Sequence, residues 1–475
     1  MQIEGMAGLL RLYTYQLDKK EGQHSHFSFT ALVADGTGSQ YMQQVKKPIK
    51  VYLTDDTGKK TECVFCGLVD SVRLAADFAA TKICVCASSY SLLLDQKAHY
   101  RIFQDEKKKM QDILSEKRLA LAKDYGQVKL DVARPLLQRP CPQFVVQNGE
   151  TNFAFLKRCS RALQIPFWVR DRQETLTLKL DTKTSNHTLN IPEEKVLSWR
   201  SYRDFSGESS EAELSRYVEL GYVVTFPKVS SGNYLVTACR VTYEKGRDAY
   251  YVRLRKVTQE KLASGAPQFH DEHPLRLLAK VTNTEDPQHL GRLQVHFTGN
   301  EPEYEDLDEK KPAWLPYRSP YTGTKNGIVF LPDKGDSVEV TLLQGAGFAA
   351  TAFRQQPLEA EAQKVADKYI GNNFQRRIFW KEKSLELWSG KNKVVLDDEK
   401  IDLQVGDTLL RLDKEGLHFT TQQGKNALTI TDDAVLQSKG EFHVESKAAK
   451  IKSEGEIKLD SGKDMHLKGR KIKIE

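Results

Sequence analysis

No run in this sequence approaches the ~18 consecutive apolar residues that a membrane-spanning helix requires. Met1 to Gln16 lacks the basic start and apolar core of a Sec-type signal, so any export is expected to use another route. Three common catalytic signatures are missing: there is no Gly-x-Ser-x-Gly, no His-Glu-x-x-His and no phosphate-binding glycine loop. His187, His270, His273, His289 and His296 are scattered, without carboxylates at ligand spacing, and Glu208 with Glu211 reads as part of a solvated loop. Cysteine is scarce and odd in number, seven in all, which argues against a disulfide framework. Cys63, Cys66, Cys84 and Cys86 have a zinc-like spacing, but their neighbours Val64, Phe65, Leu68, Val69, Ile83 and Val85 form strand-like runs. We read the four as small apolar residues in a sheet, with zinc as the alternative, and expect residues 63 and 66 on opposite faces of one strand. The net charge of +7 lacks a one-sided patch, so nucleic-acid binding is not expected. The acidic stretch Glu301, Glu303, Glu305, Asp306, Asp308, Glu309 reads as a solvated loop.

What is present is β pattern. The 475 residues allow about three domains. Runs at Leu9 to Gln16, His26 to Val33, Ile49 to Thr54, Cys63 to Val72 and Lys82 to Ser89, with turns at Asp35-Gly36 and Asp55 to Gly58, predict a small antiparallel barrel or sandwich. A helix is expected from about Asp105, carrying Met110, Ile113, Leu114, Ala120 and Leu121 and closed by Gly126. A second carries Phe155, Leu156, Cys159, Ala162 and Leu163 and is stopped by Pro166. Strands return over residues 195–260, a boundary falls at His270 to Pro274, and a short helix spans Leu358 to Ile370.

The last fifth repeats. An apolar position recurs at Leu428, Val435, Phe442, Ala449, Ile457, Met465 and Ile472, with a second two residues after most of them at Val444, Ile451, Leu459, Leu467 and Ile474. The intervening His443, Lys450, Lys458, His466 and Lys473 are polar, and Gly440, Gly455, Gly462 and Gly469 supply turns. Such strands stack into a solenoid only if something covers the apolar stripe. Copies of the same chain would do so, which predicts an intertwined homotrimeric β-helix with Leu428, Val435, Phe442, Val444, Ile451, Ile457, Leu459, Met465 and Leu467 at its core.

Between residues 277 and 353 five strands are predicted to form a small barrel: Leu277 to Val281, Gly291 to Phe297, Trp314 to Arg318, Gly327 to Leu331 and Asp336 to Leu342. Gly291, Arg292, Val295, Phe297, Trp314, Gly327, Phe330, Pro332, Gly335, Val338 and Val340 carry the pattern Gly-Arg-x-x-Val-x-Phe, Trp-x-x-(Val/Pro), Gly-x-x-Phe-x-Pro-x-x-Gly-x-x-Val-x-Val. This resembles the oligonucleotide/oligosaccharide-binding (OB) domain of the VgrG family, the spike proteins of type VI secretion systems, and the matching domain of contractile-phage tail spikes. The Trp-Asp step common in proteobacterial members is missing after Phe297. The stretches Ser91 to Asp95 with Tyr100 to Asp105, and Gly149 to Arg158, are similar to two further family motifs, with Asn152 where Asp is usual. Among the motif residues Phe103, Phe155, Trp314 and Phe330 are expected in the core, while Arg101 and Arg158 would hold loops through carboxylates or serve an interface.

The resemblance implies a mainly β protein: a hub-like region with β-barrels and two helices (1–272), an OB-fold domain (273–356), a linker helix (357–376) and a trimeric β-helix spike (377–475). It implies a non-enzymatic homotrimer that caps the inner tube of a contractile injection machine and carries effectors through a target envelope. No cofactor and no metal are implied. The implied partners are the inner-tube protein and baseplate subunits at the hub end, and a PAAR-type tip protein with its effectors at the other. The sequence stops at Glu475 inside a repeat, which places tip docking at Ile472 and Ile474. Neither the short interval 355–390 nor the C-terminus leaves room for an enzyme domain. Assembly is expected in the bacterial cytoplasm, followed by export through contraction. The alternatives are the spike of a phage tail, R-type bacteriocin or extracellular injection particle, and a cell-wall or nucleic-acid-binding OB module.

Overall fold

The strand His26–Val33 turns Phe27, Phe29, Ala31 and Val33 inward and leaves the residues between them partly exposed. That is the period of two that a half-buried pleated strand requires. A computed structural model extends this pattern through the chain. It describes residues 1–77, 80–105, 107–116, 119, 121–122, 126–172, 176–185, 187–204, 207–244, 246–257, 267, 269, 274–323, 327–343, 346–352, 367–372, 374–414, 416–420 and 438–473. They fall into two compact units, Met1–Gln356 and Pro357–Glu475.

The protein is mainly β. The early strands do not close on themselves as a small barrel. Leu9–Lys20 pairs with His26–Val33 on one side and with Ser230–Glu244 on the other, Leu17 opposite Val241. Residues 2–89 and 188–256 therefore share one 12-stranded sheet and one core, in which Leu17, Phe27, Phe65, Val85, Trp168, Phe226 and Tyr234 are buried. Local alternation specifies each strand but not its neighbour across more than two hundred residues, so this joining was not foreseen.

Among the described residues the helix expected from Asp105 to Gly126 is present only as Met110–Leu114, and Leu121–Ala122 instead pairs with Gly126–Gln127. The second expected helix is present as Asn152–Ala162. The Thr151 hydroxyl caps its first turn by accepting from the Ala154 amide at 3.1 Å. Its buried Phe155, Leu156 and Cys159 pack with Phe103, Ile113 and Phe167 in a second core. Further short helical segments, Gly38–Met42 and Arg134–Leu137 among them, make the helical content less simple than two helices.

The third core belongs to the barrel-like region. Its sheet runs Leu315–Pro316, Arg292–Phe297, Leu275–Asn283, Ser337–Leu343, Ala346–Ala352, and among the described residues its two edges do not pair. Ala346–Ala352 takes the place expected for Gly327 to Leu331, where only an isolated bridge, Thr322 with Gly327, forms. Phe330 is consequently 62% exposed rather than in the core, and Trp314 is half-buried. The Gly-Arg motif has a clear local role. Gly291 (φ +68°) turns the chain so that Asp286 accepts the Gln288 and Leu290 amides and the Arg292 guanidinium, which also lies over the Trp314 ring. Ile102 and Phe144, from the hub-like region, are buried in this same core.

The acidic stretch is solvated at Glu301, Glu303, Glu305 and Glu309, but not at Asp306 and Asp308. Glu305–Asp306 pairs with Arg101 and Ile102 as a short parallel strand, and buried Asp308 accepts the Gln104 and Asp105 amides and the Lys108 ammonium. Arg101 bonds Gln147 and Asn152 and faces Glu305, while Arg158 makes a paired contact with Glu150. Both arginines thus tie segments of the chain together.

In the second unit, Lys368–Gly371 is a strand where the end of a helix was expected; residues 353–366 lie outside the described residues, as do 270–273 of the expected boundary. Seven strands from Lys368–Gly371 to Gly416–Thr420 pair in chain order as an antiparallel meander. The first part of the expected β-helix is therefore an up-and-down sheet within one chain.

Candidate functional site

The meander has two chemically different faces. Its register aligns Ile378, Leu387, Val394, Leu403, Leu410 and Phe419 in one row across the sheet, and Trp380, Leu385, Leu396, Ile401 and Leu412 in the next row on the same face. Every member is apolar. On the other face the same strands align Phe379, Glu386, Val395, Asp402, Arg411 and His418. There Arg411 pairs with Asp402 at 2.7 Å, Lys381 with Glu386 at 2.9 Å, and the Trp388 indole donates to Glu386 at 2.7 Å. The ion-paired face is finished within the chain. Among the described residues the apolar face is not: Leu403 is 42% exposed and Leu412 51%. A contiguous uncovered apolar surface of this kind marks a contact site. Strands were expected here, from residue 377 onward, but the apolar stripe was placed only from Leu428; Phe379 and Val395 interrupt the alternation that would have marked the apolar face of the meander.

The repeat continues the theme in a different form. Of the residues assigned to the spike core, Phe442, Val444, Ile451, Ile457, Leu459, Met465 and Leu467 are all exposed, Ile451 to 78%. So is Ile472 at the assigned tip, while Leu428, Val435 and Ile474 lie outside the described residues. Residues 438–473 form no strand within the chain. The structure brings none of these side chains together inside one copy.

Sites with chemical potential are few. His24 stands between the buried Ser91 hydroxyl, 2.7 Å from Nδ1, and the Asp95 carboxylate, 3.1 Å from Nε2. This has the composition of a hydrolytic triad, but Ser91 has no exposed surface and also bonds Ser89, so a substrate cannot reach it. Thr151, the helix cap, bonds the same Asp95. The trio is a clasp between the strand His26–Val33, the turn Tyr90–Asp95 and the helix. Burial holds the His24 imidazole below its ordinary value.

The second cluster is fully buried. The Lys19 ammonium lies 2.6 Å from Asp171 and 3.2 Å from Glu219, and Tyr217 donates to Glu219 at 2.8 Å. Burial pushes the Asp171 carboxyl up, against the pull of Lys19. One ammonium between two carboxylates leaves an excess of negative charge, which Arg172, 3.3 Å from Glu219, partly offsets. The four-cysteine zinc alternative is not supported: Cys84 and Cys86 are exposed and pair with Arg73 and Ser71, well along the strand from Cys63 and Cys66. Among the described residues no group of three or more His, Cys, Asp or Glu is placed to hold a metal ion.

Residues 20–247 match the phage tail baseplate hub (GPD) family, and residues 277–352 match the type VI secretion system/phage-baseplate injector OB domain. The chain belongs to the VgrG/baseplate-hub family. It is a structural hub and spike component of a contractile injection system. No curated protein sequence matches it. Solved structures share its fold at low identity. One is the E. coli c3393 protein, a component of the type VI secretion system with structural similarity to the T4 tail proteins gp27 and gp5. It is 12% identical, covers 74% of this chain and 99% of its own, and has a TM-score of 0.54. Another is a Francisella PdpA–VgrG complex in a half-lidded state, 8% identical over 86% of this chain and 83% of its own, with a TM-score of 0.53. A lidless PdpA–VgrG complex is 8% identical over 86% and 93%, with a TM-score of 0.54. Among the described residues no helix is long and apolar enough to cross a membrane.

Proposed function

We propose that the chain works as a homotrimeric spike of a type VI secretion machine, capping the inner tube through its hub and piercing a target envelope with its C-terminal rod. The observation that carries this reading is the apolar face of the meander. In one chain this sheet is a single layer whose best apolar rows face solvent, and a lone sheet needs a second layer over such a face. Three copies around an axis supply it, each sheet closing one side of a prism. At half exposure, covering each of these side chains returns on the order of 0.5–1.5 kcal/mol. Summed over the rows, this is enough to hold three chains together.

The repeat follows the same logic. A segment with alternating apolar residues and no strand partner in its own chain gains both backbone pairing and burial when three copies intertwine. Phe442, Val444, Ile451, Ile457, Leu459, Met465 and Leu467 then face the axis, with Leu428 and Val435 above them. Ile472 and Ile474 form the layer against which a conical PAAR-type tip protein would dock by strand pairing and shape. The sheet of residues 275–352 completes an OB-type barrel in this reading, and its exposed Ile328, Val329 and Phe330 become subunit contacts. The PdpA–VgrG complexes support the further idea that a second secretion component binds this chain. Deleting residues 368–475 in the source organism should abolish recovery of the inner-tube protein in the medium. Undiminished tube export by that strain would overturn the proposal.

A further inference from the structure

Cys63 and Cys66 both lie on the strand Lys60–Asp77. In a regular strand residues three apart point to opposite faces. Here the pairing with Pro48–Thr54 slips: Val51 faces Phe65 but Tyr52 faces Cys63, leaving Val64 as the extra residue of a bulge. One extra residue reverses the parity, and the two sulfurs stand 3.5 Å apart. The expectation of opposite faces was wrong for this reason.

The bulge is held from outside the strand. The Cys66 amide donates to the Asp171 carbonyl at 2.6 Å, and the Arg172 guanidinium donates to the Cys63 carbonyl at 3.2 Å. Asp171 is itself anchored by Lys19, and Arg172 by Glu62 and Glu219. The sulfur pair therefore sits on a braced backbone. Cys66 is buried and Cys63 only partly so, which makes Cys63 the more accessible of the two residues. The hydrogen bond from the Cys66 thiol holds the Cys63 thiol below its ordinary value, against the effect of burial.

We propose that this bulge is a redox modification site, at which Cys63 and Cys66 close an internal disulfide by exchange with a glutathione-type or protein disulfide. The Cys63 thiolate attacks one sulfur of the incoming disulfide and expels the other as a thiolate, which takes a proton. Cys66 then loses its proton and attacks the Cys63 sulfur of the mixed disulfide, releasing the second thiol. Two protein thiols are oxidised by two electrons, and one disulfide is reduced to two thiols. Bond formation closes the sulfurs from 3.5 Å to about 2.0 Å. So short a loop constrains the unfolded chain little, so the bond reports the redox state of the surroundings more than it adds stability. The site does not depend on the oligomer proposed above.

The test uses the full-length native chain in glutathione buffers of rising disulfide content, quenched in acid, alkylated and digested with trypsin. Cleavage after Lys60 and Arg73 isolates both cysteines on one peptide, Thr61 to Arg73. Toward the oxidising end this peptide should lose both alkyl groups and become lighter by two hydrogen atoms, and Cys66→Ser should instead trap glutathione on Cys63. Glutathione on the exposed Cys84 and Cys86, carried on the peptide Ile83 to Lys97, reports that the oxidant reached the protein. Two alkylatable thiols remaining on Thr61 to Arg73 under those conditions would overturn the proposal. So would a wild-type chain that stops at glutathione on Cys63 without closing the internal bond.

Discussion

Leu403→Asp is the most informative substitution in the meander. Leu403 lies mid-strand in Lys400–Val405, flanked in register by Val394 and Leu410, on the face whose neighbours are all apolar. In the isolated chain it is already 42% exposed, so the monomer tolerates a carboxylate there at modest cost, roughly 1 kcal/mol or less. In the proposed trimer the same position would face the axis, and three carboxylates would be enclosed without partners. Each such charge costs several kcal/mol, so assembly loses on the order of 10 kcal/mol in all. Gln404→Asp, one residue along on the ion-paired face and opposite Lys393, should change assembly by no more than about 0.5 kcal/mol. Sedimentation velocity across a dilution series separates the two. The account expects Leu403→Asp to sediment as a folded monomer and Gln404→Asp to match the unaltered chain. Trimers of equal stability from both variants would refute the assignment of the apolar face as the buried one.

The same contrast applies further along the rod. Leu459→Asp should prevent the repeat from assembling while Lys458→Asp is nearly silent, and equal loss of trimer in thermal melts would show the inner and outer positions to be misassigned. Deleting Lys471 to Glu475 should abolish co-purification of a PAAR-type tip protein and leave the trimer intact; retention of the tip places docking elsewhere. Lys19→Met leaves Asp171 and Glu219 buried without their cation and should cost about 3–5 kcal/mol in chemical denaturation. Asp171 already sits above its ordinary value and loses its main stabilising charge in this variant, so its native form takes up a proton more readily than the unfolded chain. The stability of Lys19→Met should therefore rise as pH falls from neutrality, and a deficit that widens on acidification would contradict the buried-charge reading.

Patterns that are local were legible in the sequence. The alternation of Phe27, Phe29, Ala31 and Val33, the helix carrying Phe155 and Cys159, and the Gly291-Arg292 hairpin all depend on neighbours within a few residues. What was missed depends on distant partners or on single extra residues. The pairing of Leu17 with Val241 crosses the chain, and nothing near either residue specifies it. The bulge at Val64 inverts the facing of Cys63 and Cys66, a change no period-two count can register. Asp306 and Asp308 looked solvated because charge run together usually is; the backbone amides of Gln104 and Asp105 that hold Asp308 lie two hundred residues away. The apolar rows from Ile378 to Phe419 are less legible than the seven- and eight-residue repeat further on, because the apolar Phe379 and Val395 of the other face blur their alternation.

The central claim is that the unit from Pro357 onward is made to be covered by copies of itself. Light scattering of the purified chain at micromolar concentration tests it most directly. The account predicts a single species of three times 54.0 kDa that persists on dilution. A well-folded species of 54.0 kDa, with its apolar face stable in water, would contradict it.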